Sequence, residues 1–193
     1  MKSEFEKMRS GELYSYDDPQ VRDSLNRGKA LCARLRTMTM QSPGYRATIE
    51  ELIPGLPETS AVMPPVHCDH GHGLRIGEHV FINAGCTFLD GGLITIGAHT
   101  LIGPNCQIYT PNHPTDHRLR RQPVETNLPV TIGADCWLGG GVIVLPGVTI
   151  GDRCIIGAGG VVTRDIPAGS LAVGNPARVV RSLDGGEAPV SAE

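Results

Sequence analysis

A period of six residues constrains this chain more than any other feature. From Ile132 it divides into IGADCW, LGGGVI, VLPGVT, IGDRCI, IGAGGV and VTRDIP, each opened by an aliphatic residue that glycine often follows. Upstream the same frame gives IGEHVF and INAGCT, then IGAHTL and IGPNCQ, with openers Ile76, Ile82, Ile96 and Ile102. The step from Ile82 to Ile96 exceeds two periods, so a short insertion lies near LDGG. Neither the period of an amphipathic helix nor the two-residue alternation of a half-buried strand fits so long a run. A hexapeptide period marks a mainly β fold, the parallel β-helix: each unit supplies a short strand and a turn, three units close a triangular coil, and the coils stack. The openers then point inward as aliphatic ladders. The glycine after each opener is expected to let the chain bend where a Cβ is costly.

The composition agrees with such a core. Aromatic residues make up only 4% of the 193, so the interior must be aliphatic, and the repeat supplies that. None of the six cysteines forms a C-x-x-C pair, which argues against a zinc site. Cys86, Cys106, Cys136 and Cys154 fall on the fifth residue of their units and read as small, buried, reduced thiols, while Cys32 and Cys68 lie outside the frame. A net charge of −3 without a long basic run argues against nucleic acid and membrane surfaces as partners. No segment approaches the roughly 18 apolar residues of a membrane span. The polar start MKSEFEKMRSGE is not a signal peptide, so a cytoplasmic location is expected.

The first 60 residues do not repeat and read as a helical cap on the open end of the coil stack, which runs over 61–183. Asp18 is placed to cap a helix with Pro19 at its first position, and Val21, Leu25, Leu31, Leu35 and Met38 fall near one face of it. SPGYRATIEELI reads as a second helix capped by Ser42. Residues 184–193 read as a flexible tail. The repeat breaks at YTPNHPTDH and resumes at Ile132, so an extended loop leaves the prism at about 112–129. The inward positions of a coil are filled and its outward ones are flat. A loop, by contrast, can carry a reactive group such as His113 into a cleft.

The hexapeptide array, the GELY start, CDHGHGLRIG, NHP, PVTIGADCWLGG, PGVTIGD, GAGGVVTRDIP and VGNPARVVR together resemble the maltose/galactoside O-acetyltransferases, from about residue 4 to residue 183. These belong to the left-handed β-helix acyltransferase superfamily. The resemblance implies a left-handed coil and a homotrimer with active sites at subunit contacts. It implies acetyl-CoA as co-substrate, no metal, and a sugar or related polyol hydroxyl as acceptor. His113 would be the general base, since imidazole titrates near neutrality, and Asn83 would stabilise the oxyanion. Asp69 and Asp17 match sugar-binding positions, although Asp18 could take the place of Asp17 and equally reads as a helix cap. Asp90 remains in FLDGG and would be a further substrate-binding residue, but Gly91 and Gly92 stand where the family often carries acidic residues. His70 and His72 stand where it often has an aromatic, and they read as a solvated rim. Trp137 is expected to line the cleft. Gly140, Ala158, Gly159, Thr163 and Arg164 would follow the pantetheine arm. Arg178 and Arg181 would meet the coenzyme phosphates, which a planar guanidinium bonds bidentately.

Other readings stay open at this level. A related hexapeptide transferase acts on serine, an antibiotic or an amino sugar. A zinc hydratase of the γ-carbonic anhydrase type shares such a coil but needs three neutral histidines about one metal. His113 and His117 lie close in sequence, yet His117 matches no ligand, and a hydratase has no use for the C-terminal arginines. A non-catalytic scaffold would not need His113, Asn83 and the arginine pair.

Overall fold

The computed structural model describes residues 1–183; the tail expected at 184–193 lies outside them. The hexapeptides build a left-handed parallel β-helix with three flat faces. The first face stacks Ala61–Val62, Phe81–Ile82, Leu101–Ile102, Trp137–Leu138, Ile155–Ile156 and Ser170–Val173 in parallel register. The second stacks His67–Cys68, Thr87–Leu89, Gln107–Tyr109, Ile143–Val144 and Val161–Val162. The third stacks Leu74–Ile76, Ile94–Ile96, Val130–Ile132 and Thr149–Ile150. Register sets the openers above one another, so Val62, Ile82, Ile102, Leu138, Ile156 and Ala172 form one buried ladder. Burying each large aliphatic side chain contributes roughly 1.5–3 kcal/mol, so the ladders can supply the core that few aromatics could.

Two details differ from the sequence reading. The bend does not sit at the glycine after the opener but two residues later. There His79, His99, Asn105, Asp135 and Arg153 take positive φ, and Gly85, Gly141, Gly147 and Gly159 do the same. The post-opener glycines are required by stacking instead: a Cβ on Gly97 would lie 2.4 Å from the Ala134 nitrogen, and one on Gly139 2.6 Å from that of Ala158. Cys68 is also inside the frame, on the second-face ladder above Phe88, and its backbone N–H donates to the Cys32 sulfur at 3.2 Å. The fifth-position cysteines are buried, and each thiol donates to a carbonyl one coil on: Cys86 to Gly103, Cys106 to Gly139, Cys136 to Gly151 and Cys154 to Pro167. Thr100 does the same to Gly133 at 2.8 Å.

Before the coils come α1 (Glu4–Ser10), α2 (Pro19–Leu35) and α3 (Tyr45–Leu52). The Asp18 side chain accepts from the N–H groups of Gln20 and Val21, as a cap should. Ser42 does not cap α3; Gly44 in the left-handed region starts that helix, and the Ser42 hydroxyl accepts from the Thr39 N–H. Helix α2 crosses the first coil so closely that a Cβ on Gly28 would lie 2.3 Å from the Asp69 carbonyl oxygen. That approach brings Ser24, one turn earlier, against residues 70–72. The excursion from the prism is a hairpin. Pro111–Asn112 pairs antiparallel with Val124–Asn127, and Tyr14–Ser15 pairs with the other edge of that returning strand.

Candidate active site

The hairpin register builds the first half of the site. Asn112 pairs with Thr126 and Tyr14 with Glu125, so the chain brings His113, Glu125 and Tyr14 together. His113 Nε2 lies 3.7 Å from a Glu125 carboxylate oxygen. The other Glu125 oxygen accepts from the Tyr14 hydroxyl. Asn127 Nδ2 donates to the Tyr14 oxygen at 3.2 Å, and the Thr110 hydroxyl fixes Asn127 by donating to its Oδ1 at 2.9 Å. Burial, reinforced by Glu125, pushes the Tyr14 phenol far above its usual range, so it stays the donor in its bond to Glu125. Tyr16 meets the imidazole edge-on, centroids 6.5 Å apart. A cavity of ≈ 210 Å³ opens here, lined by Tyr14, Tyr16, Val21, Leu25, Asp69, His70, Gly91, His113 and Glu125. Burial and the neighbouring Asp90 push the Asp69 carboxyl up to about 6.

The second half lies on the first face of the prism. A groove of ≈ 590 Å³ is lined by Phe81, Asn83, Leu101, Trp137, Gly140 and Ala158, with the post-opener glycines Gly103, Gly139 and Gly157 among its walls. Asn83 occupies the post-opener place in its own coil. Its side-chain oxygen accepts from the Ala84 N–H at 2.8 Å, and its Nδ2 has no partner among the described residues. Arg178 and Arg181 are exposed on Arg178–Ser182, which pairs antiparallel with Ser170–Val173 at the end of this face. Gly159, Thr163 and Arg164 are exposed but do not line the groove.

The sequence-expected residues therefore divide. His113 and Asp69 share one cavity; Asn83, Trp137, Gly140 and Ala158 share another; no lining residue is common to both. Asp17 is exposed and lines neither, while Asp18 is spent on its helix. Asp90 is a correction: it has no exposed surface, and its two oxygens accept from the N–H groups of His70 and Gly73, each at 2.8 Å. It shapes the 70–73 turn and offers nothing to a ligand. His70 and His72 are not a solvated rim either, since His70 is buried and His72 half-buried. Glu125 and Tyr14 were not anticipated, because only the hairpin register joins them to His113. Among the described residues no group of three or more His, Cys, Asp or Glu could hold a metal ion.

Comparison with known proteins decides the family. The bacterial transferase hexapeptide model (six repeats) matches residues 129–164. Nodulation protein L of Rhizobium leguminosarum bv. viciae is 45% identical over 179 residues, covering 92% of this chain and 94% of that protein. A maltose O-acetyltransferase from Clostridium difficile 630 superposes with a TM-score of 0.91 at 39% identity, covering 94% of this chain and 98% of that one. The chain belongs to the maltose/galactoside O-acetyltransferase family. A family relative, a hexapeptide-repeat acetyltransferase from Vibrio cholerae solved with acetyl coenzyme A, is 39% identical with a TM-score of 0.87, covering 94% of this chain and 99% of that one. This family member is accordingly an acetyl-CoA-dependent acetyltransferase, with acetyl-CoA as its co-substrate.

Proposed function

We propose that the enzyme acetylates a hydroxyl of a sugar or related polyol, with His113 as general base. The observation that carries this reading is the Tyr14–Glu125–His113 array at a small cavity that also holds Asp69. The Glu125 carboxylate favours the imidazolium that forms, and the other ring nitrogen is left to take a proton. His113 removes the hydroxyl proton as the oxygen attacks the thioester carbonyl. The carbonyl oxygen becomes an oxyanion, and the free Asn83 amide N–H donates to it. Collapse breaks the carbon–sulfur bond, and the imidazolium returns the proton to the departing thiolate, leaving an acetyl ester and coenzyme A. The carboxylate of Asp69 suits a polyol because it accepts from hydroxyl groups. Asp17, exposed near the cavity strand Tyr14–Ser15, is a second candidate for that role.

On the donor side, the glycine-walled groove fits a thin pantetheine arm running past Trp137, Gly140 and Ala158. Gly159, Thr163 and Arg164 would continue that path, and Arg178 and Arg181 would hold phosphates. His113 and Asn83 open into separate cavities of one chain, so the complete site needs a neighbouring copy. We take the assembly to be a homotrimer whose loops cover the grooves of adjacent subunits. Six free cysteines suit a reducing, cytoplasmic compartment.

Release of free thiol from acetyl-CoA, measured with methyl galactoside, maltose, serine and glucosamine as acceptors, tests the reading. Acetylation of a sugar hydroxyl is expected, and His113→Ala should lower its kcat by roughly a hundred- to ten-thousand-fold with coenzyme binding unchanged. Turnover confined to serine or an amine would contradict the acceptor assignment. Near-normal kcat in the variant would contradict the base.

A further inference from the structure

His70 and His72 are joined by a chain of hydrogen bonds that the transfer chemistry does not use. Arg9 of α1 lies at its head. Its Nη1 donates to the carbonyls of Asp90 (2.7 Å), Gly91 (2.9 Å) and Gly92 (3.3 Å), and its Nη2 lies 2.7 Å from His72 Nδ1. A guanidinium can only donate, so His72 Nδ1 must accept and the ring carries its proton on Nε2. That nitrogen lies 2.7 Å from the Ser24 hydroxyl and therefore donates to it. Ser24 has one hydrogen left to give, and His70 Nδ1 lies 2.8 Å from the same oxygen. His70 Nδ1 thus accepts, and a neutral His70 holds its proton on Nε2. Burial, helped by Arg9, keeps this ring neutral, with its pKa lowered to about 4. No buried side-chain nitrogen of the described residues lacks a partner, and His70 Nε2 has none among them, so this nitrogen is not fully buried, and His70 lines the cavity beside His113.

We infer that His70 is a specificity-determining residue: its Nε2–H is a fixed donor in the acceptor cavity, set beside the Asp69 carboxylate to grip two neighbouring oxygens of a polyol. One oxygen accepts from the imidazole, and the other donates to Asp69, which makes no side-chain hydrogen bond among the described residues. This deepens the hydroxyl-acceptor reading and rests on it. Position 91 of the cavity carries no carboxylate, and a Cβ there would lie 2.6 Å from Asn127 Oδ1, so an acidic side chain at this place would displace the residue that holds Tyr14. The relay fixes the donor's polarity from a distance: Arg9 dictates the tautomer of His72, His72 the direction in which the Ser24 hydroxyl donates, and that hydroxyl the tautomer of His70.

Two measurements on the full chain test this. Imidazole 15N NMR at neutral pH should find His70 protonated on Nε2 and bare on Nδ1, with Ser24→Ala mixing the tautomers. In the thiol-release assay with methyl galactoside and maltose, His70→Phe should raise the acceptor KM about tenfold while kcat and the acetyl-CoA KM stay put. His70→Gln, which keeps an N–H near the Nε2 position, should recover most of the loss. A Phe variant with the wild-type acceptor KM, or a His70 that is charged or protonated on Nδ1 at neutral pH, would overturn the inference. If the wild type acetylates neither sugar, the polyol reading fails by itself. The NMR result then decides alone, an Nε2–H tautomer sustaining the fixed donor and any other form removing it.

Discussion

Glu125 faces His113 across the hairpin, and its second oxygen is held by a phenol that burial keeps protonated. Replacing it by an amide should leave the fold intact and remove the charge that favours imidazolium. Glu125→Gln is expected to lower kcat about ten- to a hundredfold with little change in the acetyl-CoA KM, as steady-state kinetics would read. Asp69 gives a second test at this scale. Its carboxyl is raised to about 6 by burial and Asp90, so the folded state holds a proton that the unfolded state loses near 4. Its stabilising contribution is full below that unfolded value and is lost as pH rises through about 6. Asp69→Asn should therefore raise Tm at pH 8 and not at pH 4 in scanning calorimetry; an equal shift at both would contradict the assignment. How far single residues could be read depended on the range of their contacts. Asp18 was legible because a helix cap is local. Asp90 was misread because the residues that bury it come from a turn some twenty positions earlier. His70 and His72 looked like a rim because Ser24, which meets both rings, and Arg9, which meets His72, sit in the helical cap.

The hexapeptide coil was the element most open to reading, because its period is written in every unit and does not depend on distant sequence. Its glycines were assigned the wrong duty all the same. The post-opener glycines leave room for the backbone of the next coil, a contact that no single hexapeptide contains. Gly97→Ala should therefore cost about 1–3 kcal/mol through overpacking. Chemical denaturation should detect this, whereas Gly159→Asn, at a positive-φ corner with open space around the missing Cβ, should be tolerated. Equal losses for both would mean that the bend, and not stacking, sets the glycine requirement. Helix α1 carried a readable start that was passed over: Ser3 and Glu6 form a reciprocal capping box. The hairpin could be seen only as an interruption, since its register against Tyr14–Ser15 joins segments more than a hundred residues apart.

At the scale of the whole molecule, the cavity that holds His113 and the groove that holds Asn83 share no lining residue. Leu101 and Trp137 leave 49% and 54% of their surface exposed along the groove. A neighbouring copy that seats its hairpin there would bury that area and carry His113 toward Asn83. Sedimentation equilibrium should then find a trimer at micromolar concentration, and a stable monomer would remove the shared site. Subunit mixing tests the central claim most directly. His113→Ala and Asn83→Ala are each expected to be nearly inactive as pure assemblies. When the two are unfolded together at equal amounts and refolded, some clefts draw His113 from one variant and Asn83 from the other. Thiol release should then return to about a quarter of the wild-type rate, the statistical share of intact clefts in a randomly mixed cyclic assembly. If the mixture stays as inactive as its parents while the wild type refolds fully under the same treatment, His113 and Asn83 do not meet across a subunit contact, and the shared active site is wrong.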